Sequence, residues 1–325
     1  MVFNRLIFFI TCLTFLPFFL YSQKKVSFAL KDYSYRETAI YSKITEMIDN
    51  NNVLKKDLKY IDNIDTYLLK YNSRGSEIDG FLVKPKAEGK YPCIIFNRGG
   101  IGKKGDINME DALFKLGIIA AHGYVVIASR YRDKSANNDT DEFGGKDVDD
   151  VLNLIPVLSE LEYADTSRIG MFGMSRGGMM TYLALARTEK IKAAVTVSGM
   201  TDLIYQLRND TSFENYYLRY IPGYCDNTKN RLLKKRSAVY WSDKICKTTP
   251  LLLIHCGEDT VVDMKQTMML AERLKDTGHP FRLLLFEDGG HGGNGQINEM
   301  MFNVLAWFDL YLRQKKPVFD IFPDF

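Results

Sequence analysis

Residues 169–178 read Ile169-Gly170-Met171-Phe172-Gly173-Met174-Ser175-Arg176-Gly177-Gly178, an apolar run, then a G-x-S-x-G-G turn, then a helical pattern to Arg187. A serine hydroxyl is a poor nucleophile unless it is exposed, oriented and close to a base. A tight strand-to-helix turn exposes it, but such a turn closes only if the residues two before and two after the serine lack side chains. Gly173 and Gly177 occupy those two positions. The same turn places the backbone N–H of Arg176 at a helix N-terminus, aimed toward an oxyanion forming at a substrate carbonyl. The competing reading is an ordinary glycine-lined turn. The strand–turn–helix context favours a nucleophile elbow.

The alternation continues on both sides of the elbow. Thr66 to Tyr71 and Ile78 to Lys84 pattern as paired strands across Asn72-Ser73-Arg74-Gly75. Tyr91 to Phe96, Tyr124 to Arg130, Arg168 to Phe172, Lys192 to Val197, Leu251 to His255 and Phe281 to Phe286 pattern as further strands. Helical patterns cover Glu110 to Ala121, Asp147 to Ser159, Gly177 to Arg187, Met264 to Lys275 and Glu299 to Arg313. Strands separated by helices of this length imply a mostly parallel, doubly wound α/β sheet covered on both faces. The leading hairpin adds an antiparallel N-terminal edge. Asp202 to Pro250 is too long for a plain loop and reads as a helical cap excursion. Residues 23–65 form an N-terminal arm of mixed helix and loop, and 66–325 a single catalytic domain.

An elbow serine needs an acid and a histidine later in the chain, at successive strand ends. Leu251 to Cys256 runs into Gly257-Glu258-Asp259, and Phe281 to Phe286 runs into Glu287-Asp288-Gly289-Gly290-His291-Gly292-Gly293. Asp259 would hold the imidazole tautomer, and His291, between glycine pairs, would approach Ser175 from a flexible loop. Asp202 and Glu258 are the alternative acids. The other histidines read as structural: His122 at a helix C-terminus, His255 as a satisfied core or edge residue, His279 as turn surface. A second oxyanion donor is expected from Asn97-Arg98-Gly99-Gly100-Ile101-Gly102, with Arg98 and Gly99 the candidates.

Composition limits the partners. Lys plus Arg number 43 against 40 Asp plus Glu, a net charge of only +3. That balance gives no reason to expect nucleic acid. No zinc-type Cys/His spacing, P-loop or dinucleotide fingerprint is present, so no cofactor and no metal is expected. Arg231, Lys234, Lys235 and Arg236 read as a solvated helix face. Phe213, Tyr216, Tyr217, Tyr220 and Tyr224 read as packing of the cap onto the sheet, with lining of a pocket as the alternative. Arg5 precedes an apolar run from Leu6 to Tyr21 that ends at Ser22 before Gln23-Lys24-Lys25. This pattern reads as a signal peptide over residues 1–22, giving a secreted or periplasmic protein with no stable membrane insertion after cleavage. The run is short for a membrane anchor. Cys93 and Cys256 read as buried thiols, while Cys225 and Cys246 flank a polar stretch and could bridge. The sequence leaves the oligomeric state open.

Ser175, Asp259 and His291 with their surroundings resemble the catalytic α/β-hydrolase domain of the prolyl oligopeptidase family of serine peptidases. The likeness runs from about Thr66 to the C-terminus and includes Tyr91-Pro92 to Gly100, Phe143-Gly144-Gly145-Lys146-Asp147-Val148, the elbow, Ser237 to Ile245 and His255 to Val262. The resemblance implies a peptidase of the dipeptidyl or acylaminoacyl type, working through an acyl-enzyme on a small peptide substrate. A carboxylesterase on carbohydrate, aryl or small acyl esters is the alternative, by the same route. Three features depart from the family pattern. The arm is too short for the β-propeller of the larger members. Arg176 follows the serine, where the family often has tyrosine. Arg98 stands where the family often has tyrosine or histidine.

Overall fold

The computed structural model describes residues 27–32, 56–102, 104–132 and 140–314. The expected signal segment, 1–22, lies outside these residues, as does most of the arm. Among the described residues no helix is long and apolar enough to cross a membrane.

Nine strands form one sheet in the order β1-β2-β3-β5-β4-β6-β7-β8-β9. They are β1 Phe28–Asp32, β2 Ile64–Ser73, β3 Ser76–Pro85, β4 Tyr91–Asn97, β5 Val125–Ser129, β6 Ala164–Met174, β7 Ile191–Val197, β8 Leu251–Cys256 and β9 Phe281–Phe286. The β1–β2, β2–β3 and β3–β5 pairs are antiparallel, and every pair from β5 through β4 to β9 is parallel. Part of the arm departs from the sequence expectation of helix and loop. Phe28–Asp32 pairs with Asp32 opposite Tyr67 and adds an outer antiparallel strand. Such a five-residue strand is hard to read from sequence, because its period-2 pattern is too short to stand out.

Side chains alternate along each strand, so two cores form, one on each face. Cys93 and Ile95 face one core with Val151, Leu154 and Met180, while Ile94 and Phe96 face the other with Leu113, Leu116 and Phe308. One face is covered by α1 (Asp147–Leu152), α2 (Leu154–Ser159), α3 (Arg176–Leu185) and α4 (Met264–Asp276); the helical stretch 109–121 and α5 (Ile297–Leu312) cover the other. The sequence suggests one helix over Asp147 to Ser159, but it divides at Asn153. Pro156 has no N–H to offer the carbonyl of Leu152, so the hydrogen-bond ladder breaks there. The excursion is helical as expected, with helices Leu203–Asn209, Phe213–Tyr220 and Lys229–Lys234.

The chain leaves β4 toward β5 on one side, then returns across it to β6 on the other. The direction of winding reverses between β4 and β6. A crevice must open there at the strand C-termini, because the two following loops diverge.

Candidate active site

Both sides of that crevice are built from residues singled out in the sequence. Ser175 follows β6 with φ 56° and ψ −122°, a left-handed conformation that an L-residue adopts only when its surroundings enforce it. The enforcement is visible in the backbone. The Ser175 N–H donates to Val197 O at 2.9 Å, and its carbonyl accepts from Gly178 N and Met200 N. The flanking glycines are obligatory for steric reasons. A Cβ on Gly177 would lie 1.9 Å from Asn97 O, and one on Gly173 would lie 2.2 Å from Gly177 O.

Asp259 and His291 lie in the loops after β8 and β9. The Nδ1 of His291 is 2.9 Å from each Asp259 carboxylate oxygen. A carboxylate accepts only, so Nδ1 carries the proton and the lone pair is left on Nε2, the nitrogen a base needs. Asp259 Oδ1 also accepts the backbone N–H groups of Val261 and Val262, both at 2.9 Å. Burial pushes the Asp259 carboxyl up, but hydrogen bonds from His255, His291, Ser198 and the Val262 amide outweigh it and hold it well below the usual carboxylate range.

The sequence reading missed two of these partners. Ser198 has φ 49°; besides its hydrogen bond to Asp259, its hydroxyl accepts the Gly292 N–H at 3.2 Å, tying the histidine loop to the acid. His255 is fully buried, as a core histidine should be, with ring nitrogens meeting Thr267 Oγ1 at 2.7 Å and Val262 O at 2.8 Å. The same Nε2 is 3.3 Å from Asp259 Oδ2. A serine after a strand and a histidine within one carry no local signal of this contact.

Of the alternative acids, Asp202 caps the Leu203–Asn209 helix, accepting from Ile204 N and Tyr205 N, and Glu258 is exposed. His122 caps its helix with Nδ1 2.8 Å from Ile118 O. His279 differs from the turn-surface expectation. It is only 4% exposed, and its two nitrogens meet Pro280 O and Cys246 O, because the turn folds back under the 246–249 segment. Cys225 and Cys246 are both free thiols here.

Of the candidates in the loop after β4, Gly99 lies against the serine: a Cβ built on it would be 3.2 Å from Ser175 Cβ and 3.8 Å from Ser175 Oγ. Arg176 begins a helix, where the first amides have no intrahelical acceptor. The side chains of Arg98 and Arg176 are both buried and engaged in other contacts. The Arg98 guanidinium donates to Arg130 O and Gly99 O over the Tyr131 ring.

Ser175, His291, Gly99 and Gly100 open onto one cavity of about 630 Å³. Its walls are largely apolar, with Phe143, Met174, Met200, Phe213, Tyr216 and Val261 prominent. The aromatic residues of the excursion thus divide. Tyr217 is buried against Phe143 and Tyr224, while Phe213 and Tyr216 face the cavity. No cluster of three metal-ligating side chains exists among the described residues.

The family model described as the prolyl oligopeptidase family matches residues 111–315. The uncharacterized peptidase YtmA of Bacillus subtilis (strain 168) is 27% identical over 216 residues, covering 66% of this chain and 81% of that one. Dipeptidyl-peptidase 5 of Porphyromonas gingivalis is 24% identical over 236 residues, 69% of this chain but 34% of that one. Among solved structures, an acylaminoacyl peptidase in complex with Z-Gly-Gly-Phe-chloromethyl ketone superposes with a TM-score of 0.65 at 25% identity, covering 80% of this chain and 43% of that one. The match therefore spans about a third and somewhat over two fifths of the length of these last two proteins.

Proposed function

The chain belongs to the prolyl oligopeptidase family, and on that premise we propose that it is an exported serine peptidase whose triad is Ser175, Asp259 and His291. The α/β-hydrolase fold and the serine peptidase class come with the family. The export rests on the signal-like segment at 1–22. The observation that carries the triad is the 2.9 Å contact of His291 Nδ1 with Asp259, on a ring that shares one cavity with the strained Ser175.

In this mechanism His291 Nε2 takes the Ser175 proton as Oγ bonds to the substrate carbonyl carbon. The carbonyl oxygen becomes an oxyanion, held by the amides of Arg176 and Gly99. His291 then gives its proton to the leaving nitrogen as the C–N bond breaks, and an acyl-enzyme remains. Water repeats the sequence: His291 removes its proton, the hydroxide adds to the acyl carbon, and Ser175 leaves with the proton returned. Asp259, ionised throughout, stabilises the imidazolium at each stage.

The apolar walls suit a substrate with a large apolar or aromatic group beside the scissile bond. The same acyl-enzyme route would serve an ester, so a paired assay separates the two. The mature protein is given N-acylaminoacyl and dipeptidyl arylamides in parallel with short-chain aryl esters. A kcat/KM on an arylamide comparable to or above that on the esters supports the peptidase. Turnover of esters alone makes it a carboxylesterase.

A further inference from the structure

Arg176 has a second feature besides its backbone amide. Its side chain is 1% exposed and donates to four oxygens. Nη1 reaches Asp141 Oδ2 at 2.6 Å and the Gly100 carbonyl at 3.1 Å, while Nη2 reaches Asp141 Oδ1 and Asp147 Oδ2, both at 2.6 Å. Asp141 and Asp147 are themselves fixed from behind. Phe143 N donates to Asp141, and Gly144 N and Gly145 N donate to Asp147. Removing three charges from water costs several kcal/mol per ion, so such a cluster is weak support for stability as its purpose.

Two residues packed against the guanidinium hold strained backbone conformations. The guanidinium lies over the rings of Tyr131 and Phe143, with centroids at 5.0 Å and 4.8 Å. Both residues are in the left-handed region, at φ 60° and φ 50°. For bulky residues that conformation costs about 1–3 kcal/mol each and persists only where the surroundings over-determine it. The strain therefore marks a place where geometry has been held in preference to comfort.

The geometry held is that of the loop after β4. Three consecutive carbonyls each accept from a side chain: Arg98 O from the Tyr131 hydroxyl at 3.2 Å, Gly99 O from Arg98 Nη1 at 3.1 Å, and Gly100 O from Arg176 Nη1 at 3.1 Å. A trans peptide is planar, so fixing the C=O of one residue fixes the N–H of the next in the opposite sense. The Tyr131 hydroxyl thereby orients the Gly99 amide, and the Arg176 guanidinium anchors the loop immediately beyond it.

We propose that the Arg176 guanidinium is a positioning residue for the oxyanion hole, bracing the loop after β4 against the helix after β6. One residue then serves both halves of the hole, its amide as one donor and its side chain as the tether of the loop that carries the other. The proposal rests on the reading of Ser175 as nucleophile. Among the described residues, Arg98 and Arg236 are two further cations whose charges act on Arg176. Neither replaces Arg176, since Arg98 is bound to Arg130 O and Gly99 O, and Arg236 to Glu142 O, Phe143 O and Leu232 O.

The test uses the full chain with Arg176→Lys and Asp141→Asn. An ammonium keeps the charge but cannot meet Asp141 in bidentate fashion while also reaching Asp147 and Gly100. Asp141→Asn is isosteric and loosens the brace with Arg176 intact. Each variant is assayed on the better substrate and with a peptide aldehyde, whose adduct with Ser175 places an oxyanion in the same hole. Loss of a whole oxyanion donor costs about 10²–10³ in kcat, so displacement of one should cost at least about tenfold. KM should stay within threefold, and the aldehyde Ki should rise by the same factor as kcat falls. A merely structural role would not link those two quantities. If Arg176→Lys does not fold, Asp141→Asn decides alone. Folded variants with kcat and aldehyde Ki within twofold of wild type would overturn the proposal, as would a fall in kcat with the aldehyde Ki unchanged. Absence of fluorophosphonate labelling at Ser175 in the wild type would instead remove the nucleophile reading and this proposal with it.

Discussion

The Nδ1 of His291 is 2.9 Å from both carboxylate oxygens of Asp259, so the imidazole is held in one tautomer with Nε2 free of a proton. The two residues are 32 positions apart, in the loops after adjacent parallel strands. Their meeting follows from the sheet order, in which β8 and β9 are neighbours and β7 lies between β8 and the serine strand β6.

Replacing Ser175 by alanine should abolish labelling by a fluorophosphonate probe and lower kcat by roughly 10⁴ to 10⁶. Mass spectrometry of the labelled wild-type peptide locates the adduct. Labelling of the alanine variant at wild-type stoichiometry would place the nucleophile elsewhere.

Asp259→Asn should leave the fold intact and lower kcat by on the order of 10⁴, because the tautomer is no longer enforced. Asp202→Asn is the matched control. It alters a helix cap, so it should cost no more than about 1 kcal/mol of stability and leave kcat within a few-fold. The reverse pattern would exchange the roles of the two acids.

The pH dependence of stability should carry the mark of Asp259. Its folded pKa lies below its unfolded value, so its stabilisation is fully present above about pH 4 and is lost as pH falls through the folded value. Urea midpoints of wild type and Asp259→Asn, compared from pH 7 downward, should differ by a constant amount to about pH 4 and converge below it. A gap that opens on acidification would contradict this sign.

Gly177→Ala should destabilise by about 1–3 kcal/mol or more, because the added methyl meets backbone rather than a movable side chain. Gly290→Ala, whose nearest neighbour would be the Asn294 Cβ at 3.8 Å, should be tolerated. Thermal melts of the two variants check the contrast.

Phe213→Ala should change selectivity more than rate. The ring lines the cavity, so kcat/KM for substrates with a bulky apolar group should fall about 10- to 200-fold relative to those with a small one. An equal loss on both substrates would mean that Phe213 only supports the cap, through its contact with Tyr217.

Much of this protein was written locally in its sequence. The elbow needs glycines at fixed offsets from Ser175, and clashes of 1.9 Å and 2.2 Å show why those offsets tolerate nothing larger. Strand and helix periods marked every parallel strand, and with them the strand ends where Asp259 and His291 stand. These features depend on neighbours a few residues away, so spacing alone expresses them. Folding decided what holds those residues in place. Ser198 and His255 reach Asp259, His279 is buried against Cys246, and Arg176 ties Gly100 to Asp141 and Asp147. Phe213 and Tyr216 turn toward the cavity while Tyr217, beside them in sequence, turns away. Side-chain partners so far apart follow no period, and which donor meets which acceptor is fixed only when the sheet brings their loops together and burial makes an unpaired polar group costly.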